Sequence, residues 1–496
     1  MENLIKPNFD FKAIGISKDE IKADAEQTLK AFEPIPHDEI LSQLIKQIGK
    51  VDFRELAELK DETQKLNRKH YLVSSIEQVI NTAKNNNWGL CKNTNFVYLY
   101  NGAYWRLFND EELKTFLGNA AEKMGVDKFD AKHYKFIDEL LKQFLALANL
   151  PKPEQAAETV LINLKNGTFE ISPKRQFLRG YNSNDFLTYQ LPFDYNPTAE
   201  APLFHKYLNT VQPDIERQKI LAEFLGYVFL KTSYLKLEKM LVLFGGGRNG
   251  KSVFFEIVTA LLGSENVSSY SLSSLVDENG YYRAMIGNKL VNYASEMNCT
   301  IKGNNFFKQL TSGEPIQARL PRGYPFEISN YAKLIFNCNE LPKDVEQTNA
   351  YFGRYLIIPF DVTIPDHEQD AELSKKIINN ELSGVFNWLL EGLNRLIAQK
   401  KFTESEAVKQ QLNDFKKQSD SVLLFLEDEG YQQSTNESYL MFSEVYNAYK
   451  IYCIENGNHS CSGKSFSERL KKSGFVTDRK NTGKIIYAVK TGNNGF

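Results

Sequence analysis

The period of apolar positions changes along the chain, and each change marks a new kind of element. Residues 1–85 are polar with helical spacing, as in Ile40, Leu41, Leu44, Ile45 and Ile48. Ser17, followed by Asp19 and Glu20, has the pattern of a helix N-cap. From Trp88 the pattern shortens to strands. Phe96 to Tyr100, a turn at Asn101-Gly102, and Ala103-Tyr104-Trp105 predict a hairpin. Helical spacing returns over 111–150, and a second hairpin is expected over 160–171 around Asn166-Gly167. A proline-containing linker spans 192–202, and helices are expected over 203–211 and 217–229. Short, largely apolar runs follow at 241–244, 289–296, 333–339 and 355–360, the pattern of strands buried on both faces of a parallel sheet. Residues 316–320 and 324–328 have the pattern of a hairpin with Pro321-Arg322-Gly323 at its tip. Amphipathic helices are expected over 372–398 and 405–418. The last segment predicts helices over 421–428, 439–456 and 464–473, then a hairpin over 476–489 around Asn481-Thr482-Gly483.

Composition narrows the class. The chain has 496 residues, 42% apolar and 25% charged, which is ordinary for a globular protein with several domains. The net charge of −2 advertises no polyanionic partner in bulk, so any nucleic acid must be met by local basic patches. Five cysteines without a Cys-x-x-Cys pair indicate neither a zinc ribbon nor a disulfide framework and fit a reducing cytoplasm. No apolar run approaches 18 residues and the N-terminus lacks a signal-peptide core, so the expectation is a cytoplasmic protein without membrane contact.

The stretch that carries chemistry is Gly245-Gly246-Gly247-Arg248-Asn249-Gly250-Lys251-Ser252, with Val253 opening the next apolar helical pattern. It contains Gly-x-x-x-x-Gly-Lys-Ser between a strand and a helix. The glycines let backbone N–H groups turn around phosphate oxygens, and the helix start adds its positive dipole end. Lys251 can reach the β and γ phosphates of ATP, and Ser252 can ligate Mg2+. Glu296 closes the 289–296 strand, where it can orient an attacking water or hold magnesium through water. Asn339 closes the 333–339 strand and can bond both water and γ-phosphate. Arg354 precedes a further strand and can stabilise transition-state charge across a subunit interface. Arg319 and Arg322 on the projecting hairpin suit DNA phosphate, although basic residues are common on hairpins. Residues 464–490 carry eight Lys or Arg against two acids. That excess, including Lys464, Lys471, Lys472, Arg479 and Lys480, suits either duplex DNA or a solvated basic face.

Together, GGGRNGKS, KLVNYASEMN, KQLTSGEPIQARLPRGYPFEI, KLIFNCNELP and YFGRYLIIPF resemble, in that order, the motifs of the phage/plasmid primase-helicase family. Its ATPase belongs to helicase superfamily III, with the poxviral primase-helicases. NLKNGTFEI and QLPFDYNP resemble the domain that precedes it. The resemblance implies a multidomain α/β chain: a helical N-terminal arm (1–85), a mixed α/β domain (86–195), a P-loop AAA+-like core (196–375), a helical connector (376–420) and a winged-helix domain (421–496). It implies a homo-hexameric ring moving on single-stranded and forked DNA with ATP and Mg2+, encoded by a phage, plasmid or integrated element. Lys251, Ser252, Glu296, Asn339 and Arg354 take the roles given above. Two departures stand out. Where the family often has two adjacent arginines, the first is Gly353 here. The first 85 residues are also too short for a primase domain, so a separate primase or polymerase is the expected partner. The alternatives are a DNA-binding initiator and a nucleotide-gated ATPase without unwinding.

Overall fold

The structure is a computed structural model that describes residues 34–61, 63–93, 96–148, 158–173, 175–295, 297, 304–342, 345–434 and 438–491. The chain divides into two compact units, Met1–Leu191 and Pro192–Phe496. The first has helices α1 (His37–Gln47) and α2 (Arg68–Asn85), strands β1 (Gly89–Asn93), β2 (Phe96–Tyr100) and β3 (Trp105–Phe108), helices α3 (Asp110–Met124) and α4 (Tyr134–Leu147), and strands β4 (Val160–Leu164), β5 (Gly167–Ile171) and β6 (Gln176–Arg179). The helical spacing near residue 40 is real burial. Ile40 and Leu44 share one core with Ile76 and Val79 of α2, Val97 and Leu99 of β2, and Phe144 of α4. The cap expected at Ser17 lies outside the described residues.

The first hairpin forms, but its return strand starts at Trp105, not Ala103, because Tyr100 pairs with Trp105. Asn101 explains the shift. Its side-chain oxygen accepts from the N–H groups of Ala103 and Tyr104, both at 3.0 Å, which commits residues 101–104 to a turn. The aromatic strand faces pack inward: Tyr98, Tyr100 and Trp105 are buried together, and the Trp105 indole donates to the Ser183 carbonyl at 2.8 Å.

The second unit opens with α5 (Pro202–Val211) and α6 (Ile215–Tyr227). Its sheet comprises β7 (Met240–Phe244), β8 (Val267–Ser268), β9 (Val291–Ala294), β12 (Lys333–Cys338) and β13 (Tyr355–Pro359), in the order β13-β7-β12-β9-β8. All its pairs are parallel. Met240, Leu241, Val242 and Leu243 have no exposed surface. Each such burial contributes roughly 1.5–3 kcal/mol, which explains the unbroken apolar run. Between these strands lie α7 (Lys251–Leu262), α8 (Tyr281–Met285), α9 (Asn304–Ser312), the hairpin β10 (Ile316–Arg319) and β11 (Pro325–Ile328), and the short α10 (Asn349–Phe352).

The single helix expected over 372–398 is two, α11 (Leu373–Asn380) and α12 (Leu382–Gln399), broken at Glu381. The break has a purpose. The Glu381 carboxylate accepts from the N–H groups of Leu203 (3.0 Å) and Phe204 (2.9 Å) and so caps the start of α5. Helix α12 packs tightly on α6, where a Cβ added to Gly392 would lie 2.3 Å from the Ala222 carbonyl carbon.

The chain ends with α13 (Glu406–Gln418), α14 (Ser421–Asp428), β14 (Tyr431–Gln433), β15 (Leu440–Met441), α15 (Phe442–Glu455), α16 (Gly463–Lys472), β16 (Thr477–Lys480), β17 (Gly483–Ile486) and β18 (Ala488–Lys490). The helix expected from 439 starts at Phe442, because Leu440 and Met441 pair with Ile486 and Ile485. The resulting sheet runs β15-β17-β16, and β14 pairs with β18.

Candidate nucleotide and nucleic-acid sites

The glycine loop leaves the C-terminal end of β7. Gly245 donates its N–H to the Cys338 carbonyl on β12 at 3.1 Å. A Cβ on Gly245 would lie 2.4 Å from the Phe360 carbonyl oxygen, so glycine alone lets the loop turn against β13. Asn249 is buried and donates to the same Phe360 carbonyl at 3.0 Å. The Gly250 carbonyl accepts from the Tyr207 hydroxyl at 2.8 Å. Arg248 points outward to Asp366 at 2.8 Å. Gly246 and Gly247 are exposed, with nothing within 4 Å of an added Cβ, and Ser252 is exposed beside Val253 in the first turn of α7.

Lys251 is the buried cation of this loop. Its Nζ donates to Gly245 O at 2.7 Å, Gly246 O at 2.8 Å and Asn249 Oδ1 at 3.0 Å. Burial lowers its pKa, while burial pushes the nearby Cys338 thiol up to about 11. The ammonium therefore rests on neutral carbonyl and amide oxygens, with no acid bonded to it among the described residues. Because Cys338 pairs with Phe244, the next residue, exposed Asn339, continues β12 alongside the start of the loop. Glu296 lies outside the described residues.

Arg354 is at the other end of the sheet. Its carbonyl accepts from Met240 N–H at 2.9 Å, beside the first residue of β7. Its side chain is only 14% exposed and holds Glu238 at 3.1 Å. Lys239 donates to the neighbouring Gly353 carbonyl. Burial, then the Arg354 charge, lowers the Lys239 pKa.

The β10–β11 hairpin forms in the expected register, Ile316 opposite Ile328 and Arg319 opposite Pro325. Ile316 and Ala318 point to the core while Gln317 and Arg319 face out. Arg322 takes the left-handed conformation (φ 60°) at the tip. Arg319 Nε donates to Gly323 O at 2.9 Å, and Tyr324 is 94% exposed. Sequence reasoning missed the residue that anchors this hairpin. Buried Arg283 donates to the carbonyls of Gln317 (2.7 Å) and Leu275 (2.9 Å) and lies 3.9 Å from the Phe306 ring. No linear signal marks it, since its partners are backbone oxygens.

In the last module Lys464, Lys471 and Lys472 are exposed on α16, and Arg479 and Lys480 on β16. The other three cations of that stretch have internal partners. Arg469 meets Asp420 at 3.3 Å and Lys490 meets Glu429 at 2.6 Å. Lys484 bonds Ser467 Oγ at 2.5 Å. Among the described residues no His, Cys, Asp and Glu group has metal-ligand geometry, and no helix is long and apolar enough to cross a membrane.

Three family models match in chain order: "D5 N terminal like" over 68–213, "Family of unknown function (DUF5906)" over 243–354, and "Poxvirus D5 protein-like" over 417–491. The first and last of these segments are thus similar to D5-type domains. It is 24% identical over 357 residues to "Putative helicase 121R" of Invertebrate iridescent virus 3, covering 64% of this chain and spanning 37% of that relative's length. Among solved structures, the A form apo structure of the NrS-1 C terminal region aligns with a TM-score of 0.46 at 12% identity, covering 83% of this chain and 98% of that one. A second apo structure of that region (305-718) aligns at 0.44 and 13% over the same shares.

Proposed function

We propose that the chain is the ATP-dependent helicase part of a replicative machine: a superfamily III, AAA+-type P-loop motor working as a homo-hexameric ring on single-stranded and forked DNA. The observation that carries this reading is Lys251. It sits buried in a glycine loop at the carboxyl end of a parallel sheet, bonded, among the described residues, only to neutral oxygens that phosphate oxygens can replace. Gly246 and Gly247 are exposed with open space around them, room for phosphates to approach the loop. Ser252 and Glu296 are the residues proposed to hold Mg2+, which when bound neutralises charge developing on the phosphates. Asn339 orients the attacking water and reads the γ-phosphate. Arg354, separated from its own loop by the length of the sheet, acts at the next subunit. Arg319 and Arg322 contact the translocated strand. The order helix, strand, two helices, hairpin, with β15 beside β17, supports a winged helix that offers α16 and the β16–β17 turn to DNA.

The test is ATP hydrolysis with and without single-stranded DNA on wild type, Glu296→Gln and Arg322→Ala, with particle mass from light scattering. DNA stimulation that is lost in Arg322→Ala, on a hexamer-sized particle, is the expected result. Hydrolysis indifferent to DNA on a monomer would leave a nucleotide-gated switch. Duplex binding through α16 without unwinding would leave an initiator.

A further inference from the structure

A cleft of about 580 Å³ opens where α10, α13, α14 and α16 meet, within the size range of ligand sites. Lys416, Lys417, Arg469 and Lys472 line it, with Asp420 as the one acid among the described lining residues. Asp420 is already engaged. It accepts from the N–H groups of Val422 (3.0 Å) and Leu423 (3.3 Å), capping α14, and meets Arg469 at 3.3 Å. No described carboxylate pairs with Lys416, Lys417 or Lys472, so the cleft holds an excess of positive charge. A concave, low-dielectric wall focuses that charge on an anion. Gln347, another lining residue, is held by its Nε2 donating to the Ser419 carbonyl at 2.9 Å.

The geometry points to this cleft as a phosphate site for the backbone of one DNA strand, shared between the sheet-bearing part of the unit and its C-terminal module. Lys472 belongs both to the cleft and to the exposed basic row of α16, so a strand lying along α16 continues into it. The other wall is α10, the turn between β12 and β13. Thr348, Asn349 and Phe352 line the cleft, and the Ala350 carbonyl of the same turn accepts from the Arg354 guanidinium. A strand in the cleft therefore touches the turn that joins Asn339 to Arg354. This inference rests on the DNA-binding part of the function proposed above, and it adds Lys416, Lys417 and Arg469 as contacts.

The test is the salt dependence of single-stranded oligonucleotide binding by fluorescence anisotropy, on the full chain. Each phosphate contact on a single strand contributes about 0.7 to the slope of log K against log salt concentration. Lys417→Ala is expected to lower the slope by about 0.7, and Lys416→Ala with Lys417→Ala by about 1.4. Lys375→Ala, an exposed lysine of α11 outside the cleft, should keep the wild-type slope. Equal losses in Lys375→Ala, or wild-type slopes in both cleft variants, overturn the proposal. So does calorimetric pyrophosphate binding that is lost in Lys417→Ala while the DNA slope is unchanged, since that assigns the cleft to a free phosphate. Arg322→Ala separates the two readings. A slope lowered only there removes the cleft and keeps the motor; a slope lowered only in the cleft variants removes the hairpin contact and keeps the cleft.

Discussion

The role proposed for Arg354 can be decided by mixing two inactive proteins. Arg354 and the glycine loop lie at opposite ends of β13 and β7, whose registers run from Tyr355 with Met240 to Pro359 with Phe244. At roughly 3.3 Å per residue this separates them by about 16 Å, farther than an arginine side chain reaches. Any contribution to hydrolysis must then be made at a neighbouring subunit's loop. To make it, the guanidinium must exchange Glu238 for a phosphate. An arginine supplied in trans is worth on the order of 10³–10⁵ in turnover, so Arg354→Ala alone should be almost inactive. Lys251→Ala alone should be inactive through its loop. In an equimolar mixture assembled at random, about one interface in four joins an intact loop to an intact Arg354. Steady-state ATP hydrolysis should recover to roughly a quarter of wild type, and to less where sites fire in sequence. The assay needs protein concentrations at which light scattering shows the oligomer. A mixture no more active than its two parts, or Arg354→Ala with wild-type turnover, refutes the trans assignment.

Three further outcomes follow from burial. Glu223 has no exposed surface, and its carboxylate accepts from Arg395 (2.6 Å), Gln399 (3.1 Å) and the Thr403 N–H (2.7 Å); Glu223→Ala should lower stability by about 3–5 kcal/mol in urea unfolding, and Glu223→Gln by less. Burial lowers the His37 pKa to about 4, from 6.5 when free. The unfolded chain therefore takes up a proton first as pH falls, and wild type should lose about 1.4 kcal/mol per pH unit between pH 6.5 and 4. His37→Gln should lack that share when unfolding midpoints at pH 7 and pH 5 are compared. Gly392→Ala should lower the melting temperature through overpacking of α12 on α6, at a cost of about 1–3 kcal/mol.

Features set by burial and by backbone chemistry were legible in the sequence. The apolar runs of β7, β12 and β13 announce a sheet covered on both faces, and Asn166-Gly167 and Pro321-Arg322-Gly323 each mark a turn that forms. Within the glycine run, Gly245 is needed for geometry, since its close approach to Phe360 leaves no room for a Cβ. What escaped is a side chain whose partner lies far along the chain. Glu381 looks like one more polar position of a continuous amphipathic helix, yet it ends that helix to cap Phe204, 177 residues earlier. Nothing in the chain around Arg354 marks a partner, yet its side chain is mostly buried against Glu238, 116 residues away. Arg283 spends its charge on carbonyls, which any sequence supplies. These are the contacts that position the loop, the hairpin and the end of the sheet relative to one another. A one-dimensional pattern can therefore nominate Lys251 and Arg354, while the contacts that hold them, the Gly245, Gly246 and Asn249 oxygens for one and Glu238 for the other, appear only in the folded protein.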